Sequence, residues 1–188
     1  MASWKDYLNT GEQTSGDDNE SQKNVLVEQY LFLRNKADTG EIAAINDLGL
    51  RLYMGYFDSL FYQGQPKKIA VPYLEIAAEH GSKQAQTCLG VIYETGGLGE
   101  KDLQKAELYY TLAARQNVGK AQYRLGVLRV QKGREDGLHW LCCAHLNGEK
   151  ESTNILKWMI QRDDDPSRMR DIIDWQIKQI KSNGIIPE

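Results

Sequence analysis

One short pattern constrains this chain more than any other. Alanine is followed four residues later by leucine and then at once by glycine. The pattern occurs at Ala44, Leu48 and Gly49, at Ala85, Leu89 and Gly90, and at Ala121, Leu125 and Gly126. Positions i, i+4 and i+5 share one face of a helix. Alanine and glycine on that face let a second helix approach closely, and leucine fills the space beside them.

A second helical pattern follows each of these. It reads IAVPYLEIAA over residues 69–78, KAELYYTLAA over 105–114 and, more weakly, EDGLHWLCCA over 135–144. Aligned by residue type, the paired small residues are Ala77/Ala78, Ala113/Ala114 and Cys143/Ala144. Ala70, Ala106 and Asp136 stand before them. An aromatic column runs through Tyr73, Tyr109 and His139, flanked by Leu74, Tyr110 and Trp140. Gly81, Asn117 and Asn147 read as helix C-caps, because glycine and asparagine best tolerate left-handed backbone. A period of roughly 30–40 residues marks helical-hairpin arrays, whose single hairpins cannot bury their apolar faces alone.

The middle unit resembles the Sel-one-like repeat, a relative of the tetratricopeptide repeat. The residues that carry the likeness are Ala85, Leu89, Gly90, Tyr93, Gly96, Gly97, Gly99, Asp102, Lys105, Ala106, Tyr109, Tyr110, Ala113 and Ala114. The flanking units depart from it: Leu52 and Arg129 stand where the family has tyrosine, and the third unit lacks Lys-Ala. The likeness covers roughly residues 41–156. It implies an all-α, right-handed superhelical solenoid of αα-hairpins, with about three to four repeats and a capping helix at each end. It also implies a surface for protein–protein contact without catalysis.

The expected layout is a short helix and mobile polar segment over residues 1–22, a capping helix over 23–37, the array over 41–162, and a closing helix over 165–183. Asp38 or Thr39 is expected to cap the first repeat helix. Asp165 before Pro166 reads as an N-cap with a first-turn proline. Pro72 falls inside a helical pattern, where it should remove one hydrogen bond or push the helix start later. In the fourth unit Glu151, Ile155 and Leu156 align with alanine, leucine and glycine. Their bulk would block another hairpin and end the array. The segment inside each hairpin shortens along the chain, from Gly49–Ala70 to Gly90–Ala106 to Gly126–Asp136.

Composition argues against several function classes. With 41% hydrophobic and 26% charged residues the chain is an ordinary globular sequence. A net charge of -3 suggests no nucleic-acid or anionic-membrane surface. The N-terminal residues carry no signal-peptide pattern, and no run suffices to span a bilayer, so a cytoplasmic location is expected. Three cysteines, two of them adjacent, make a poor disulfide framework.

The histidines His80, His139 and His145 are too few and too scattered for a catalytic constellation. Cys142 and Cys143 with His139 and His145 lack zinc-site spacing, and Cys143 reads as a small buried hydrophobe. The glycine run at Gly96, Gly97 and Gly99 follows a helix and lacks the Lys-Ser/Thr of a phosphate loop. No cofactor, metal or catalytic residue is expected.

Two surfaces are candidates for a partner. Tyr53, Tyr56, Phe57, Phe61 and Tyr62 crowd the first inter-helix segment, either as interface anchors or as a plug folded back on the hairpin. The inner helical face offers Asp47, Leu50, Cys88, Val91, Arg124 and Val127. The expected function is binding of one protein partner, with immunity against a bacterial toxin as the concrete form. The alternatives are an adaptor or regulatory scaffold in signalling or secretion and, disfavoured by the scarce histidines, an enzyme or metal protein.

Overall fold

The computed structural model describes residues 17–60, 66–97 and 99–184. The short helix expected near the N-terminus, together with Phe61 and Tyr62, lies outside them. Among the described residues the secondary structure is helical throughout. The helices are α1 (Asp17–Asp38), α2 (Ile42–Tyr53), α3 (Pro66–Glu79), α4 (Lys83–Thr95), α5 (Leu103–Arg115), α6 (Gly119–Gln131), α7 (Asp136–Leu146), α8 (Lys150–Arg162) and α9 (Pro166–Asn183), with a single 3-10 turn at Asp58–Leu60. They fall into two compact units, Met1–Lys101 and Asp102–Glu188.

In the first unit α2 and α3 pack as a pair because Gly49 has no side chain. A Cβ there would lie 3.1 Å from Tyr73 Cβ and 3.2 Å from the Leu74 backbone nitrogen. Ala44, Leu48, Leu52, Ala70, Leu74 and Ala77 fill the seam and are buried. The turn into α4 closes on Gly81 (φ 85°), with Ser82 N–H donating to Ala77 O at 2.9 Å. Ser82 then caps α4 by accepting from Ala85 N–H, and its hydroxyl donates to Asn46 Oδ1 at 2.7 Å, which ties α4 to α2. Buried Gln86 donates to Ala78 O at 3.1 Å, a second bond to a helix-end carbonyl that the Gly81 N–H also reaches at 3.0 Å.

Several local expectations change in this unit. Helix α1 begins at Asp17, inside the stretch read as mobile. Neither Asp38 nor Thr39 caps α2. Asp38 pairs with Arg34 at 2.9 Å, the Thr39 hydroxyl donates to Lys36 O, and the N-cap is Glu41 without a side-chain bond. Helix α3 runs through Pro72, whose side is exposed, so the proline removes a hydrogen bond without moving the helix start.

In the second unit Asp102 caps α5 by accepting from Gln104 N–H and Lys105 N–H. Asn117 takes the left-handed turn (φ 61°) that Gly81 takes in the first unit. Gln122, fully buried, repeats the role of Gln86 by donating to Ala114 O at 3.2 Å. Helices α6 and α7 also pack closely. A Cβ on Gly126 would meet Leu141 Cγ at 2.8 Å, and one on Gly137 would meet the Val130 backbone nitrogen at 2.7 Å.

These contacts correct the third unit by one residue. Gly49 touches Leu74 and Gly126 touches Leu141, so Leu141, not Trp140, stands in the Leu74/Tyr110 place. Gly137 therefore takes the Ala70/Ala106 place instead of Asp136, and Trp140 joins Tyr73 and Tyr109 instead of His139. Ala144 replaces Cys143 opposite Ala77 and Ala113, and the left-handed cap is Gly148 (φ 83°), not Asn147 (φ -83°). The same step carries into α8. Its buried residues are Ser152 and Leu156, which occupy the alanine and leucine positions assigned to Glu151 and Ile155. Exposed Lys157 then stands at the glycine position.

Helix α9 starts at Pro166 with Asp165 as its N-cap, as the sequence indicates. It packs on α7 and α8. Gln176 lies 2.8 Å from His139 Nδ1, and Ile173 and Ile180 are buried.

Candidate protein-interaction face

On α2, α4, α6 and α8 the residues one before and two after the motif leucine lie outside the buried seam. In the first unit Asp47 and Leu50 of α2 and Cys88 and Val91 of α4 occupy matching positions and are half-buried. Helices α2 and α4 touch, so these four residues belong to one surface. Asp47 pairs with Arg51 at 2.9 Å, and the Arg51 guanidinium lies 5.6 Å from the Tyr56 ring centre.

In the second unit Arg124 and Val127 of α6 hold the same register and are also half-buried. The corrected alignment adds Ile155 and Trp158 of α8. Their helix starts beside that of α6: a Cβ on Gly119 would fall 3.0 Å from Glu149 Cγ, and Asn147 Nδ2 donates to Gln122 Oε1 at 2.6 Å. Trp158 is 55% exposed. Residue type alone had placed Ile155 in the seam and left Trp158 out. The signal that could have found them is Gly148, which marks where the preceding turn ends.

The aromatic segment divides. Tyr56 is 59% exposed, Tyr53 is half-buried, and Phe57 is fully buried, with its ring edge-on to Tyr30 at 5.5 Å. Leu60 is buried beside them in the sequence. Phe57 is therefore a plug in the core and is withdrawn from the candidate anchors. Tyr56 is the member that reaches solvent.

A different feature, missed from the sequence, sits on the other side of α6. Arg129 stands at the register of Tyr93. In the first unit the Tyr93 hydroxyl donates to Glu75 at 3.0 Å. In the second, Arg129 donates to Thr111, which holds the place of Glu75, and to Glu107 at 3.1 Å. Glu107 also receives Lys132 at 2.7 Å and Arg134 at 2.9 Å, and Asp136 pairs with Arg129. Burial alone would raise the Glu107 pKa, but the hydrogen bonds and charges of Lys132 and Arg129 hold it below the usual value. This network fastens α5 to the turn between α6 and α7.

Cys142 and Cys143 are buried free thiols. Burial pushes both Cys142 and Cys143 up to about 12, so neither is a thiolate near neutral pH. Cys143 Sγ lies 3.4 Å from His139 Nε2, under α9. Among the described residues no group of three or more His, Cys, Asp or Glu side chains could hold a metal ion, and no helix is long and apolar enough to cross a membrane.

Neither the protein-family models nor the curated proteins return a match to this chain. Solved structures do. A Sel1 repeat protein from Oxalobacter formigenes is similar at 30% identity and a TM-score of 0.55, over 68% of this chain and 96% of that one. A protective antigen of uropathogenic Escherichia coli that displays the SLR fold is similar at 24% identity and a TM-score of 0.60. That match covers 79% of this chain but only 32% of the antigen, so it bears on fold alone. The repeated Ala-Leu-Gly seam, the left-handed caps and these likenesses agree on an all-α helical-repeat scaffold, of a kind typically non-catalytic and used for protein–protein contact, and the chain belongs to the Sel1 repeat proteins.

Proposed function

We propose that the chain binds a protein partner through the matched columns on its even-numbered helices. The observation that carries this reading is the recurrence of an accessible apolar residue at one register: Leu50 and Val91 in the first unit, Val127 and Trp158 in the second. Each lies next to a fully packed seam, so its exposure does not come from loose packing. Packed helices that present such residues within each unit suit recognition of another chain.

The test is affinity capture from the native lysate with mass spectrometry, using the wild type and the variants Leu50→Asp, Val91→Asp and Val127→Asp. A partner retained by the wild type and lost by these variants, at unchanged helicity, supports the reading. Equal capture by all four proteins overturns it.

The narrower form is an immunity protein that sequesters a toxin; the broader form is an adaptor or regulatory scaffold. The immunity form rests on analogy with small repeat inhibitors. Co-expression with a toxin encoded next to this gene tests it, and toxicity unchanged by co-expression removes it.

A further inference from the structure

We infer that the outward stripe of α6 and α8 takes an acidic protein segment and seats one of its apolar side chains against Trp158. This rests on the reading that the even-helix columns bind a protein, and adds the chemistry of the bound segment.

Helical spacing places Lys120, Arg124, Val127 and Gln131 along one side of α6, and Glu151, Ile155, Trp158 and Arg162 along the matching side of α8. Those sides carry three cations and one carboxylate, with Asp163 and Asp164 following Arg162 beyond the helix end. The Arg162 guanidinium lies 5.3 Å from the Trp158 ring centre. Among the described residues neither Lys120 nor Arg162 forms an ion pair, so both keep their charge for a ligand. The first unit differs. Its stripe carries Asp47, and the neighbouring cation Arg51 is already paired with it; Glu94 lies close to Val91. The positive excess is a property of α6 and α8 within a chain whose net charge is -3.

A tryptophan edged by arginine fits a side chain that brings both apolar area and a nearby carboxylate. Val127 and Ile155 lie in the middle of the stripe. They offer nothing to a phosphate backbone, which favours a polypeptide over a nucleic acid. Opposite charge on the partner would also speed its encounter and make binding salt-sensitive.

The experiment is fluorescence anisotropy with the full chain and three labelled probes: a 14-residue amphipathic peptide of Glu and Leu, the same peptide with Lys for Glu, and a 12-nucleotide oligothymidine. The expected result is saturable binding of the Glu/Leu peptide, weakened about tenfold or more by Lys120→Glu with Arg124→Glu and by Trp158→Ala, and largely kept by Trp158→Phe. Circular dichroism confirms that each variant is folded. The inference is overturned if the Lys/Leu peptide binds as well, if oligothymidine binds instead, if no probe saturates, or if these substitutions leave Glu/Leu binding unchanged. Failure here while Val127→Asp still abolishes capture of the native partner removes only the acidic chemistry. Unchanged capture by every column variant removes the broader reading too.

Discussion

Gly137→Ala is the sharpest test of how the second unit is built. The added methyl would sit 2.7 Å from the Val130 backbone nitrogen, 2.8 Å from Val130 Cγ2 and 3.1 Å from the Arg129 carbonyl carbon. Two of these three atoms are backbone, so no rotamer change relieves the clash and α6 and α7 must separate. Overpacking of this kind costs roughly 1–3 kcal/mol, and backbone contact places it near the upper figure. Alanine returns up to about 1 kcal/mol of helix propensity, less at a first-turn position such as this. The expected net loss is about 2 kcal/mol, or a Tm lower by about 4–8 °C for a chain of this size. Gly49→Ala is the control. Its methyl meets its neighbours at 3.1–3.2 Å, where small shifts and the propensity gain should nearly cancel. Urea unfolding followed at 222 nm measures both. If Gly137→Ala is as stable as Gly49→Ala, Gly137 does not occupy the close-packed position and the register assigned to α7 is wrong.

Further outcomes follow from the same contacts. Phe57→Ala should cost about 3–5 kcal/mol because the ring is fully buried against Tyr30, whereas Tyr56→Ala should stay within about 0.5 kcal/mol; denaturant melts separate the two. Glu107→Gln should destabilise the second unit by about 1–3 kcal/mol, because Arg129 is left with less compensation in a poorly hydrated site. The pH dependence has a definite sign: the Glu107 pKa is lowered in the folded state, so its contribution is complete above the ordinary carboxylate pKa and is lost as pH falls through the depressed one. An acid titration of stability should therefore be less steep in Glu107→Gln than in the wild type. Iodoacetamide on native protein at pH 7.5 should spare Cys142 and Cys143 and label them only after denaturation, as peptide mass mapping would show.

The seams of the first two hairpins were legible from sequence because nothing else explains Ala, Leu and Gly repeating on one helical face. Their buried residues, from Ala44 to Ala114, sit where that spacing puts them. The third unit was legible in kind but not in register. Cys143-Ala144 imitates the small pair of the earlier repeats, and only the contacts of Gly126 with Leu141 show that the chain has advanced by one residue. The caps misled for a related reason: Asn147 and Gly148 both suit left-handed backbone, and glycine adopts it here. The half-buried columns on α2, α4 and α6 follow directly from periodicity. Trp158 does not, because its helix could be phased only after the preceding turn was fixed. The ion network around Glu107 was invisible for a simpler reason: its members come from α5, α6 and the turn after it, and no local spacing links them.

Helix α9 has one more consequence. It packs on α7, where His139 and Cys143 stand in the places held on α5 by Leu108, 56% exposed, and Leu112, 38% exposed. An extra hairpin inserted after α8 would have to pull α9 away and uncover that face of α7, whereas one inserted ahead of α6 would leave the closure untouched. Duplication within this array is therefore directional: new hairpins are accommodated ahead of α6, while one placed between α8 and α9 displaces the helix that covers α7.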